Sequence, residues 1–113
     1  MFIINTYKNY LNLFCLNNVI MYKYILLTNE DLRKNKYPLD IIEDNIDNLN
    51  LIDILTTQTL TSEFCAKYFC APNDIYAKDD VDQDIYIHHI LRYQSHIKLT
   101  DIEFYKNKIY NKK

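Results

Sequence analysis

The chain has 113 residues, 49% of them hydrophobic, and a formal charge of −2, which suits one small soluble domain with a modest core and leaves no room for a second. With 13 basic against 15 acidic residues it carries no electrostatic footprint for nucleic acid or an anionic membrane surface, so neither is expected as a partner. It contains no glycine, which excludes phosphate-cradling loops of the P-loop or dinucleotide-binding kind and leaves any turn that needs positive φ to Asn or Asp.

Isoleucine, asparagine, tyrosine and lysine fill close to half of the chain, a bias expected of an AT-rich coding sequence. The three cysteines, Cys15, Cys65 and Cys70, are an odd number and no signal-peptide pattern precedes them, so free thiols in a reducing, cytoplasmic compartment are expected.

Residues 1–36 form an N-terminal segment read as helical or mixed. Ile3, Tyr7, Tyr10, Leu11 and Phe14 share one helical face, whereas residues 19–27 favour a strand, and Met21 is an alternative start. Lys8, Asn9, Asn12, Asn17, Asn18 and Lys23 interrupt the apolar run before it reaches the roughly 20 residues a membrane span needs. Thr28 stands as an N-cap ahead of one or two helical turns.

Residues 37–70 carry three apolar clusters at helical spacing. In the first, Pro38 suits the opening of a helix, Asp40, Glu43 and Asp44 favour its positive end, and Ile41, Ile42, Ile46 and Leu49 form a stripe. Asn50 is positioned to cap a second helix with Asp53 facing its free amides and Leu51, Ile54 and Leu55 on its buried side; Thr56 and Thr57 weaken it. Thr61 caps a third, in which Phe64, Cys65, Tyr68 and Phe69 cluster, and Pro72 helps to end it.

Residues 71–84 read as an acidic loop, with Asp84 capping the helix that follows. Residues 85–113 supply C-terminal helices and a basic tail: Ile87, Ile90, Leu91 and Ile97 keep helical spacing, and Thr100 with Glu103 forms a capping box for a last helix bearing Ile102, Tyr105 and Ile109. The expected fold is all-α, a small bundle of five or six short helices. Two stretches about 36 residues apart share Ile-Leu-x-x-Gln followed by Leu-Thr and then Phe, an echo that fits either a helical repeat or chance in a narrow composition.

Metal and thiol chemistry find little support. Asp80, Asp82 and Asp84 alternate as calcium ligands do, but Ile85 stands where the loop needs glycine and Leu91 where it needs a closing glutamate. His88, His89 and His96 with Cys65 and Cys70 lack the short paired spacing of zinc ligands, and both cysteines fall on apolar faces. No cofactor, no metal and no enzymatic activity are expected.

Residues 37–64 resemble an F-box, the trihelical motif that tethers proteins to the Skp-type adaptor of cullin-RING ubiquitin ligases. Pro38 and Asp40 match its opening, Ile41 and Ile42 its aliphatic pair, and Ile46 and Leu49 the end of its first helix. Asp53, Ile54 and Leu55 match its Asp-Leu-Leu step, and Leu60, Thr61 and Phe64 its close; Tyr37, Asn45 and Ser62 depart from the pattern. The same spacing also describes a generic three-helix core. In composition the chain is similar to F-box proteins of large AT-rich DNA viruses of amoebae.

The resemblance implies a non-enzymatic adaptor joining a Skp-type protein to an unknown protein target. It implies Pro38, Ile41, Ile42, Ile46, Leu49, Ile54 and Leu55 as the contact residues. The alternative is a short helical-repeat or scaffold protein with no ubiquitin link.

Overall fold

A computed structural model describes residues 25–111. The helical face of Ile3 to Phe14, Cys15 and the alternative start at Met21 lie outside the described residues. Within them the chain is all-α, with seven α-helices and no strand. They are α1 (Asn29–Lys34), α2 (Leu39–Asp44), α3 (Leu51–Thr57), α4 (Ser62–Phe69), α5 (Asp80–Gln83), α6 (Ile87–Tyr93) and α7 (Leu99–Tyr110), with 3-10 turns at Ile46–Asn48 and Pro72–Asp74.

Most of these helices are far shorter than the 12–15 residues an isolated helix needs to persist in water, so packing holds them. Along the chain they fall into three successive pairs, each two helices joined by a short connection, α1–α2, α3–α4 and α6–α7, called hairpins below. The first helices stack in one row, α1 on α3 and α3 on α6. In a second row α7 packs along α4, and α2 meets α4 where Glu43 accepts from the Tyr68 hydroxyl at 2.9 Å and pairs with Lys67 at 3.7 Å. A single core runs between the rows, from Leu27 and Leu32 through Ile54 and Leu55 to Ile90 and Ile102. Ile25, Leu27 and Leu32 thus belong to the same core as residues 37–70.

The hairpins are locked together by two glutamines that do the same work. Gln58, at the C-cap of α3, accepts from the Tyr37 N–H at 2.8 Å and donates to the carbonyls of Leu32 and Asn35 at 3.0 and 2.9 Å. Gln94, at the C-cap of α6, accepts from the Leu60 N–H at 2.9 Å and donates to the carbonyls of Leu55 and Gln58 at 2.8 and 2.7 Å. In each case the amide reaches back one hairpin. It satisfies the last carbonyls of the preceding helix and the N–H two residues beyond its C-cap, groups that no helical bond can reach.

The echo in the sequence therefore divides in two. Its Ile-Leu-x-x-Gln half is a structural repeat, with Ile54 and Ile90 both in the core ahead of the clamping glutamines. Its Leu-Thr…Phe half is coincidence, since Thr61 is the N-cap of α4 whereas Thr100 lies inside α7, and Phe64 is buried whereas Phe104 is exposed.

Several expected helix ends change. The first helix of the 37–70 segment stops at Asp44 instead of reaching Leu49, because the Asn45 side chain takes another role. Its amide donates to the carbonyls of Ile41 and Ile25, both at 2.9 Å, and accepts from the Leu27 N–H at 2.9 Å. That pins residues 25–27 to the hairpin and turns the backbone into a 3-10 turn. Asn45, one of the three residues that depart from the F-box pattern, is thus a buried clamp.

Thr28 and Thr61 cap α1 and α4 as expected, Thr28 through a reciprocal box with Asp31. Asn50 occupies the N-cap position of α3, but the side-chain cap comes from Asp82. Asp53 instead pairs bidentately with Arg33 at 3.1 Å, and Thr56 and Thr57 bond back to the carbonyls four residues earlier.

The acidic stretch after residue 71 is not all loop, since it contains α5. In the glycine-free turn before it, Asn73 and Asp74 take φ of 61° and 51°, the left-handed region those residues tolerate best after glycine. Asp84 ends α5 rather than capping α6, whose free Tyr86 N–H donates to His89 Nδ1 at 2.9 Å. The Thr100–Glu103 capping box is absent, because α7 begins two residues early, at Leu99 behind Lys98.

Tyr37 stands alone in one respect. Among the described residues its hydroxyl is the buried side-chain polar atom that lacks a hydrogen-bond partner. Burial, with Asp31 nearby, pushes the phenol well above its ordinary range, so it stays neutral. Tyr37→Phe is expected to leave stability unchanged or raise it by up to about 1 kcal/mol, because it removes a desolvated group and no bond. A urea titration showing a loss larger than that would reveal a partner for the hydroxyl.

Candidate interaction surface

Of the seven residues implied as adaptor contacts, only Pro38 is exposed, at the N-cap of α2. Ile41, Ile42, Ile46, Leu49, Ile54 and Leu55 are all buried in the chain's own core. These six, expected to present an apolar face to a partner, pack between the hairpins, and a partner could touch them only if the rows separated. What they face is the rest of the chain's core, including Leu27, Leu32, Ile90 and Ile102.

The candidate ligating groups are scattered by their structural duties. Asp82 turns inward, 3% exposed, and accepts from the amides of Leu51, Ile52 and Lys78 at 2.9, 3.0 and 2.9 Å. His89 caps α6 through Nδ1, and His96 donates from Nε2 to the Leu60 carbonyl at 2.7 Å. Among the described residues no three His, Cys, Asp or Glu side chains gather to hold a metal ion. Burial pushes the Cys65 thiol up to about 12, with Cys70 adding to the effect, and burial also raises Cys70 against the opposing pull of Lys106. Both thiols are protonated at neutral pH and poorly nucleophilic.

What remains on the surface differs between the end of the array and its flank. Counted from their N-caps, Ile52, Ala66 and Phe69 of the second hairpin occupy the places of His88, Glu103 and Lys106 in the third. The first three are buried or partly buried, and the latter three are exposed. Polar outward positions of this kind are how the terminal unit of a helical array avoids further stacking.

The flank is different. Between α2 and α4 lies a depression of about 280 Å³ lined by Leu39, Glu43, Thr61, Glu63, Phe64 and Lys67. Between α4 and α7 lies one of about 550 Å³ lined by Thr61, Ser62, Glu63, Asp101, Phe104 and Tyr105. Thr61 and Glu63 belong to both, so the two form one furrow across the second helix row. Phe104, 60% exposed and edge-on to Tyr105 at 5.1 Å, stands at its end. On the inner side Phe64 is held by Tyr68 and Phe69 at ring separations of 4.7 and 6.2 Å. Burial and then the hydrogen bond to Glu43 hold the Tyr68 phenol above its ordinary range, so it remains a donor that fixes Glu43 at the furrow wall.

Sequence reasoning did not single out this furrow. The available signal was Phe104, which falls off the Ile102, Tyr105 and Ile109 stripe that packs α7. No helix among the described residues is long and apolar enough to cross a membrane. The chain matches no protein-family model, no curated protein and no solved structure.

Proposed function

We propose that this chain is a non-enzymatic protein-interaction module of the helical-repeat kind. It is a short stack of hairpins that binds a partner on the flank of its second helix row. The repeated amide clamp at Gln58 and Gln94 carries this reading. It sets successive hairpins in one register and makes the row α2, α4, α7 a preformed surface, which lowers the ordering cost of binding. The polar outward positions at His88, Glu103 and Lys106 favour lateral binding over end-to-end stacking.

A photo-crosslinking residue placed at Leu39 or Ser62 in the intact chain, expressed in cells, tests it. Discrete protein adducts are expected from these positions and not from His88. Adducts from neither flank position would overturn the reading.

The adaptor reading is favoured by one observation. Pro38 is exposed at the start of α2, and α2, α3 and α4 follow in the order of the F-box motif. Its aliphatic anchors are inside the core, so an adaptor would have to work from Pro38 and its surroundings. Retention of a purified Skp-type adaptor by the chain at micromolar concentration, lost in Pro38→Ala, would establish it; no retention is the outcome expected here.

A further inference from the structure

The furrow has a chemistry that selects among partners. Its apolar lining is concentrated at the α4–α7 end, where Phe104 and Tyr105 stand beside Glu63 and Asp101. The charged residues that line it are Glu43, Glu63, Asp101 and Lys67, and among the described residues Lys67 is its one cation, engaged with Glu43 at 3.7 Å and lying over the Tyr68 ring at 5.1 Å. Glu63 and Asp101 are exposed in the first turns of α4 and α7, and no salt bridge among the described residues includes them. Each helix N-terminus offers roughly half a positive charge to its own carboxylate, so one full negative charge per helix leaves the furrow net negative. An acidic partner would be repelled, and a purely apolar one would leave both carboxylates desolvated without compensation.

We propose that this furrow docks a short basic segment of a partner protein, one aliphatic or aromatic side chain lying against Phe104 and Tyr105 while flanking Lys or Arg residues meet Glu63 and Asp101. Charge complementarity sets the choice of partner and its rate of capture, and the aromatic pair supplies the anchor. The proposal rests on the interaction-module reading and adds the class of partner to it.

Panning a random heptapeptide display library against the immobilised full chain tests it. Enriched peptides should carry at least two Lys or Arg around an aliphatic or aromatic residue. Their affinity should fall by about tenfold or more in the double variant Glu63→Gln/Asp101→Asn and in Phe104→Ser, and should fall with added salt. All three positions are exposed, so thermal melts of the variants should match the parent, which separates lost binding from lost folding. Enrichment of acidic or neutral peptides, no enrichment at all, or basic peptides that bind the variants as well as the parent would overturn the furrow assignment. Binding unaffected by the variants would leave the module reading standing with its surface elsewhere, whereas that reading fails only when the flank crosslinks capture no protein.

Discussion

Replacing Gln94 with leucine is expected to destabilise the fold by about 3 kcal/mol, read as a fall in the urea midpoint of the helical circular-dichroism signal. The side chain is 3% exposed and its amide serves three backbone groups, the Leu60 N–H and the carbonyls of Leu55 and Gln58. Leucine of similar size fills the volume but leaves those groups desolvated and unpaired at about 1–3 kcal/mol each, part of which relaxation and entering water recover. Against a total stability of about 5–15 kcal/mol for a domain, that is a large fraction. Gln94→Glu should be no better, since it keeps the acceptor for Leu60 but turns the donating end into a buried carboxylate facing two carbonyl oxygens. Gln83→Leu, at an exposed position, is the control and should move the midpoint little. A Gln94→Leu midpoint equal to that of the control would mean that the clamp does not hold the hairpins together.

The second large effect is expected at Asp82, where Asp82→Asn should cost about 3 kcal/mol although it preserves size and shape. One carboxylate oxygen accepts from the Leu51 and Lys78 amides and the other from Ile52, so all three donors point at oxygens. An asparagine must turn its NH2 toward at least one of them, which loses a charge-assisted bond and sets two donors face to face. The negative charge beside the positive end of α3 is lost as well. The surface pair Arg33–Asp53, with Arg33 mostly exposed, provides the contrast: Arg33→Ala should cost about 0.5 kcal/mol. Guanidinium titrations of the two variants rank them. A smaller loss for Asp82→Asn than for Arg33→Ala would show that α5 does not anchor α3.

The two effects share a geometry. Polar side chains tie the first helix row at both ends. Asn29, Asn50 and Asp82 form a chain at its N-terminal side, and Gln58 and Gln94 form one at its C-terminal side. Helices of six or seven residues expose as many unsatisfied backbone groups as they satisfy. Stacking them is stable only because each hairpin supplies the caps of its neighbour, and this makes the array behave as a unit.

The sequence by itself determined the helical class and most of the buried side chains, because apolar spacing at a period near 3.6 is a local property; the strand expected over residues 19–27 is absent from the described part of it, 25–27. The sequence also determined the caps at Thr28 and Thr61, where donor and acceptor lie three residues apart and the chain needs no distant partner. Tertiary structure alone decided which face of Ile41, Ile42, Ile46, Leu49, Ile54 and Leu55 is inside and against what, since spacing marks a side to be covered and does not say whether a neighbour or a partner covers it. It decided that Asn45 breaks a helix, that Asp82 caps one 30 residues away and that Gln58 and Gln94 clamp successive hairpins. A polar side chain announces hydrogen-bonding capacity, but the backbone groups that use it lie far off in the chain, 39 residues away for Gln94 and Leu55. Only folding brings them within 3 Å, and the same folding opens the furrow between α2, α4 and α7.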